Sequence, residues 1–234
     1  MTADPRLIVA LDLPDAGEAR RLAETLGTAV SFYKVGLQLF ATDGMALARA
    51  LKAAGKQVFL DWKLHDIGAT VEKAAAALSD SGCDFLTVHA EPQVMRAAVR
   101  GRLTPELKIL GVTVMTSLTD EDLREIGYGH TAADLVERRV RQAIDCGCDG
   151  VIASPHEAAR VRQIAGEGFL VVTPGVRPAG ASADDQARTA TPAAALKAGA
   201  THLVIGRPIT AAPDPRAAAQ AIAAEMAGAS TSDF

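Results

Sequence analysis

The chain has 234 residues, 49% of them hydrophobic and 22% charged, with a net charge of −4. That size suits one α/β barrel with a substantial buried core. The acidic balance and the lack of any strongly basic segment argue against nucleic acid as the main partner. The apolar runs fall far below the roughly 20 residues needed to cross a bilayer, and the start Met1-Thr2-Ala3-Asp4-Pro5 has no basic-then-apolar leader pattern. Three cysteines, Cys83, Cys146 and Cys148, lack zinc-site spacing, so reduced thiols in a cytoplasmic protein are expected.

In chain order, short β-rich apolar runs alternate with longer Ala- and Leu-rich helical stretches. The first strand is expected over Leu7–Leu11, followed by a helix over Ala16–Leu26, and the second over Ser31–Val35. A third strand, Val58–Lys63, leads into a helix at Ala69–Ser81, and a fourth covers Phe85–His89. The fifth spans Ile109–Val114, a helix follows at Ala132–Asp145, and the sixth is Gly150–Ala153. Leu170–Thr173 and His202–Gly206 complete the set, with a closing helix at Pro215–Met226. Glycines at Gly55, Gly82, Gly147 and Gly199 stand where helices hand over to strands, which suits a left-handed residue ending a helix. The Cys146-Gly147-Cys148 pair sits at one such joint and reads as packing, not as a redox or metal site.

Eight β/α units in about 220 residues predict a closed parallel (β/α)8 TIM barrel. An open doubly wound sheet is the alternative, but no Gly-x-Gly-x-x-Gly follows the first strand. No linker or low-complexity run divides the chain. One domain over 1–234 is expected, with its core in 5–227 and a frayed tail over 228–234.

Barrels of this class carry their chemistry at the C-terminal ends of the strands. Strand one ends in Asp12, strand two carries Lys34, and strand three carries Asp61 and Lys63, with Asp66 just beyond. Residues two apart on a strand share a face, so Asp61 and Lys63 point inward with Phe59 while Trp62 points outward. Paired surface ions are the plain alternative. Against it, charges of alternating sign converge from adjacent strand ends, where each ion costs several kcal/mol to bury unless it is paired.

The last two strand ends suggest a second function. Thr173-Pro174-Gly175-Val176-Arg177-Pro178 follows strand seven, and Ile205-Gly206-Arg207-Pro208-Ile209-Thr210 closes strand eight. Barrels frequently bind phosphate with these two loops, where glycine admits the anion to backbone N–H groups and arginine gives bidentate bonds. The Ala-, Gly-, Ser- and Asp-rich stretch from Gly175 to Thr191 has the length of an active-site lid.

The segment Asp61-Trp62-Lys63-Leu64-His65-Asp66-Ile67-Gly68-Ala69-Thr70 resembles the D-x-K-x-x-D-I-x-x-T signature of the orotidine 5′-monophosphate decarboxylases. The likeness runs over nearly the whole chain. It implies decarboxylation of a nucleotide without cofactor or metal, with Lys63 as proton donor in a charged tetrad of Lys34, Asp61, Lys63 and Asp66. It implies ribose contacts from Asp12 and Lys34 and a pyrimidine contact from Thr116. Arg177, Gln186, Gly206 and Arg207 match phosphate and base contacts, with Gln186 on the lid. The resemblance also implies a homodimer in which Asp66 and Thr70 enter the partner's site, with Ile67 among the substrate contacts. Gly68-Ala69 and Trp62 depart from the Pro-Asn and Leu of many members, which bears on loop geometry and leaves the charges intact.

Three other readings remain open. Magnesium-dependent keto-sugar-phosphate decarboxylases and aldolases share the Asp-x-Lys-x-x-Asp element but need an acidic metal ligand at the end of strand two, where this chain has Lys34. A metal-dependent epimerase would need His65, His89 or His202 at ligand spacing with one another. A non-catalytic nucleotide-binding barrel would have no use for the clustered charges.

Overall fold

In the computed structural model, which describes residues 3–178 and 190–229, eight parallel strands pair in sequence order and the eighth returns to the first. The chain runs β1 (Leu7–Ala10), α1 (Ala16–Leu26), β2 (Phe32–Gly36), α2 (Leu37–Phe40), α3 (Gly44–Ala53), β3 (Gln57–Leu64) and α4 (Gly68–Ser79). It continues through β4 (Phe85–His89), α5 (Pro92–Gly101), β5 (Lys108–Val112), α6 (Asp120–Ile126), α7 (Ala132–Asp145), β6 (Gly150–Ile152) and α8 (Ala158–Ala165). Then come β7 (Leu170–Thr173), α9 (Pro192–Lys197), β8 (His202–Ile205), α10 (Arg207–Thr210) and α11 (Pro215–Ala229). The expected TIM barrel is thus the observed fold. Leu7, Ile8 and Val9 of β1 lie in register with Leu203, Val204 and Ile205 of β8, which closes the ring.

Local chemistry sets the element ends. The Asp15 carboxylate accepts the Glu18 amide at 2.8 Å and starts α1, and the Thr131 hydroxyl accepts the Asp134 amide and starts α7. In α6 a capping box pairs Thr119 with Asp122. The final helix runs past the expected core to Ala229, and residues 230–234 of the anticipated tail lie outside the described residues.

Two apolar layers follow from the alternation of the strands. Residues such as Val9, Val35, Leu60, Trp62 and Val151 face outward and pack under the helices. A smaller set fills the barrel, with Phe32, Phe59 and Phe85 at its centre and their rings packed edge to face at 4.9 and 5.9 Å. Two helices approach closely where Gly101 of α5 meets α4, since a β-carbon at Gly101 would overlap the Glu72 carbonyl.

The helix-to-strand joints at the bottom of the barrel repeat one device. Asp84 accepts the Val58 amide at 2.7 Å and pairs with Lys52 at 2.8 Å. Asp149 accepts the Ile109 amide at 2.8 Å and pairs with Arg102. Each aspartate ends a Gly-Cys-Asp triplet, which accounts for Cys83 and Cys148 as packing residues. All three cysteines are buried and unbridged, and burial raises the Cys148 thiol to about 12.

Candidate active site

The alternation that sends Phe32, Phe59 and Phe85 into the barrel sends the residues two further on, Lys34, Asp61 and Thr87, inward above that aromatic layer. A cavity of about 490 Å³ opens there at the C-terminal ends of the strands. Its apolar floor and flank include Ala10, Phe59, Val112, Ile152 and Val204.

One wall is a row of charges of alternating sign. Asp12 Oδ1 lies 2.8 Å from Lys34 Nζ, Lys34 Nζ lies 3.4 Å from Asp61 Oδ2, and Asp61 Oδ1 lies 2.8 Å from Lys63 Nζ. The Lys34 side chain is 8% exposed and that of Asp61 15%, while those of Asp12 and Lys63 reach 53% and 32%. The inner pair is therefore the most desolvated. Burial works against the Lys34 ammonium, but Asp61 and Asp12 outweigh it and hold its pKa above the ordinary lysine value. Burial likewise works against the Asp61 carboxylate. Lys34 and Lys63, with hydrogen bonds from Lys63 and Thr87, outweigh that and keep it below the usual carboxylate range. Both members of the inner pair stay ionised across neutral pH.

The backbone at this wall is irregular. Pairing of β3 with β4 shifts register between Leu60 and Leu64, and Lys63 has φ 49°, the only positive φ outside glycine among the described residues. A lysine in that region costs on the order of 1–2 kcal/mol relative to a right-handed residue, so surrounding contacts must enforce it.

The wall facing the β3 end of that row comes from the last two strands, of which β8 pairs with β1. Gly175 and buried Arg177 follow β7, Gly206 and exposed Arg207 follow β8, and all four line the cavity with Thr116 from the loop after β5. The structure thus brings together Asp12, Lys34, Asp61, Lys63, Thr116, Arg177, Gly206 and Arg207. Asp66, Ile67 and Thr70 are exposed at the rim of the same chain and do not line its cavity, and the Asp66 carboxylate accepts the Ile67 amide at 2.6 Å. Gln186 and most of the anticipated lid lie outside the described residues.

Several lining or supporting residues escaped the sequence reading. Val112 and Ile152 are apolar strand-end residues whose position depends on register alone. Gly36 and Thr87 support the charged row without lining it as charges. A glycine two residues beyond an inward lysine was the available signal for the first.

The histidines do not assemble into a metal site. His65 pairs with Glu91 at 2.9 Å and lies against His89 with its ring tilted, whereas His202 lies at the other end of the barrel against Phe32 and Phe85. Among the described residues no group of three or more His, Cys, Asp or Glu side chains is placed to hold a metal ion. No helix among them is long and apolar enough to cross a membrane.

Comparison with known proteins places this geometry in context. A family model described as orotidine 5′-phosphate decarboxylase / HUMPS family matches residues 5–222. The chain is 67% identical over 232 residues to an orotidine 5′-phosphate decarboxylase of Caulobacter vibrioides strain NA1000 / CB15N, covering 97% of this chain and all of that one. It is 55% identical over 229 residues to one of Rhodopseudomonas palustris strain BisA53, with 98% and 97% coverage. The crystal structure of orotidine 5′-phosphate decarboxylase from Lactobacillus acidophilus superposes with a TM-score of 0.84 at 38% identity, covering 95% of this chain and 99% of that one. The chain belongs to the orotidine 5′-phosphate decarboxylase / HUMPS family.

Proposed function

We propose that this barrel converts orotidine 5′-monophosphate to uridine 5′-monophosphate and CO2, the last step of de novo UMP synthesis. The observation that carries the reading is the Asp12–Lys34–Asp61–Lys63 row facing Arg177, Gly206 and Arg207 across one cavity. A nucleotide spans such a cavity with its phosphate at the β7 and β8 ends and its ring at the charged row.

Loss of CO2 from carbon 6 of the pyrimidine leaves a carbanion with no electron sink in the ring. Lys63 stabilises that charge and then delivers a proton to carbon 6. Asp61 lies beside the departing carboxylate, and Lys34 holds Asp61 in place. Two like charges 4 Å apart repel by about 4 kcal/mol at an effective dielectric near 20, whereas enzymes lower barriers by roughly 8–23 kcal/mol. Repulsion is therefore the smaller part. Stabilisation of the carbanion by Lys63, supported by binding energy from the phosphate, carries the rest.

The keto-sugar-phosphate reading fits less well. Its metal ligand at the end of strand two is here Lys34, an ammonium held charged between two aspartates. A non-catalytic barrel would leave the desolvated row without purpose.

The site is completed by a second copy of the chain. Leu37, Phe40 and Ile67 are 63%, 53% and 73% exposed around the ends of β2 and β3, and Phe40 packs edge-on against Trp62 at 4.7 Å. An apolar patch beside the mouth suits a homodimer contact. Docking there would deliver the exposed Asp66 and Thr70 to the partner's cavity. Unbridged buried thiols suit the cytoplasm.

The test is loss of the orotate ultraviolet absorbance from orotidine 5′-monophosphate with excess chelator present, for wild type and Lys63→Ala. Chelator-resistant turnover is expected, with the variant slower by at least about 10²–10⁴-fold. A folded wild type that leaves the substrate untouched overturns the reading, and the phosphorylated keto sugars with Mg2+ then become the substrates to assay.

A further inference from the structure

Thr87 stands where the charged row meets the irregular stretch of β3. Phe59 pairs with Phe85 and Leu60 with Leu86, but the next partner of Val88 is Leu64. Three residues of β3, Asp61, Trp62 and Lys63, therefore face the single residue Thr87 on β4. The regular ladder of backbone hydrogen bonds cannot continue across that mismatch.

The Thr87 side chain takes its place. Its hydroxyl is fully buried, accepts the Lys63 amide at 3.0 Å, and lies 3.1 Å from Asp61 Oδ1. A hydroxyl has one proton to give and two lone pairs to offer. With the Lys63 N–H on one lone pair, the proton goes to an acceptor. The Asp61 carboxylate is nearer and charged, whereas the competing Leu60 carbonyl is 3.5 Å away. One oxygen thus binds the main chain of Lys63 and the side chain of Asp61 at once. It holds Lys63 in its left-handed conformation and, through Asp61, fixes the direction of the Lys63 ammonium.

We infer that Thr87 is a positioning residue for the decarboxylation, setting the relative geometry of Asp61 and Lys63 without touching substrate. This rests on the proposed roles of those two residues. The backbone amide of Lys63 and the carboxylate of Asp61 lose their common anchor when the hydroxyl is removed, and the ammonium then samples directions away from carbon 6. The phosphate contacts on β7 and β8 lie on the opposite wall and are not involved.

Thr87→Val keeps the shape and removes the hydroxyl, and Thr87→Ser keeps the hydroxyl. The valine variant is expected to lose roughly 10–100-fold in kcat, as for a displacement of about 1 Å in a reacting group. Its KM and its Kd for uridine 5′-monophosphate should stay within about threefold, and Thr87→Ser should recover kcat to within about threefold. Wild-type kcat in Thr87→Val, a serine variant as poor as the valine one, or a parallel loss of kcat and uridine 5′-monophosphate binding overturns the inference. Should Thr87→Val not fold by circular dichroism, Thr87→Cys, a weak donor and acceptor of similar size, must show the same split of kcat from KM. Wild type and Lys63→Ala measured alongside separate the two claims. An inactive folded wild type defeats the proposed function and an active Lys63→Ala defeats the role of Lys63, whereas an active wild type and inactive Lys63→Ala beside a fully active Thr87→Val defeat only the role of Thr87.

Discussion

Gly36, at the end of β2, faces Asp12 so closely that a β-carbon on it would lie 2.5 Å from Asp12 Oδ1 and 2.8 Å from Lys34 Nζ. Its φ is −89°, so space and not backbone conformation demands glycine. The obstructing atoms are side-chain tips that can move. Gly36→Ala is therefore expected to melt within a few degrees of wild type yet lose roughly 10–100-fold in kcat/KM, because the Asp12–Lys34 pair must part to admit the methyl group. Thermal melts and steady-state kinetics on the same preparation decide it. A variant that melts early but keeps full specific activity contradicts this account of the glycine.

Arg207 lies across the cavity from Lys63, on the wall formed by β8. If its role is to bind phosphate, Arg207→Ala should lower kcat/KM for the nucleotide by roughly 10–100-fold although the side chain never meets carbon 6. The corresponding nucleoside, which has no phosphate, should react at the same slow rate with wild type and variant. A variant that handles both substrates as wild type does removes Arg207 from the phosphate site.

Ile67 is 73% exposed between Asp66 and the start of α4. Ile67→Asp places a charge in the proposed contact between copies, where like charges would face each other across a two-fold axis. Sedimentation should show a shift from dimer toward monomer, with activity falling in proportion as Asp66 leaves the partner's site. A wild type that sediments as a monomer at assay concentration would rule out the shared site.

His202 is packed against Phe32 and Phe85, and burial lowers its pKa from 6.5 to about 4. The unfolded chain takes up this proton at a higher pH than the folded one. Stability is thus unaffected above about pH 6.5 and falls as pH drops toward 4. His202→Gln should lose less stability than wild type between pH 7 and pH 4.5, by on the order of 2 kcal/mol. Urea titrations at the two pH values measure this. Parallel losses in both proteins would mean that the histidine is not the responsible group.

The sequence was most informative where side-chain pattern and local capping agree. Helices α1 and α7 were legible to the residue because Asp15 and Thr131 cap them and polar faces alternate with apolar ones. The Thr119-x-x-Asp122 box carried the same signal for α6, which periodicity alone passed over because the helix is only 7 residues long. Phe59, Asp61 and Lys63 were correctly placed on one face, although the backbone that puts them there is not the regular strand that alternation assumes. The left-handed Lys63 could not be read, since a lysine gives no hint of a conformation that glycine would announce. Nor could the Asp12–Lys34 contact be read, because it depends on the parallel register that sets Ala10 beside Lys34. Asp66 was grouped with the charged row, and the resemblance assigned Asp66 and Thr70 to a partner's site; in one chain both stand exposed outside the cavity.

Closure of the ring by β1 and β8 also has a kinetic consequence. Asp12 and Arg207, at adjacent strand ends around one cavity, are separated by almost the entire chain and become neighbours only when Leu7, Ile8 and Val9 meet Leu203, Val204 and Ile205. Joining the two ends is among the most non-local steps available to this topology and thus among the slowest to form. A growing polypeptide on the ribosome holds Lys34, Asp61 and Lys63 for most of its synthesis with nothing opposite them. Activity during refolding therefore cannot appear before ring closure, and it follows the earlier gain of helix that circular dichroism records.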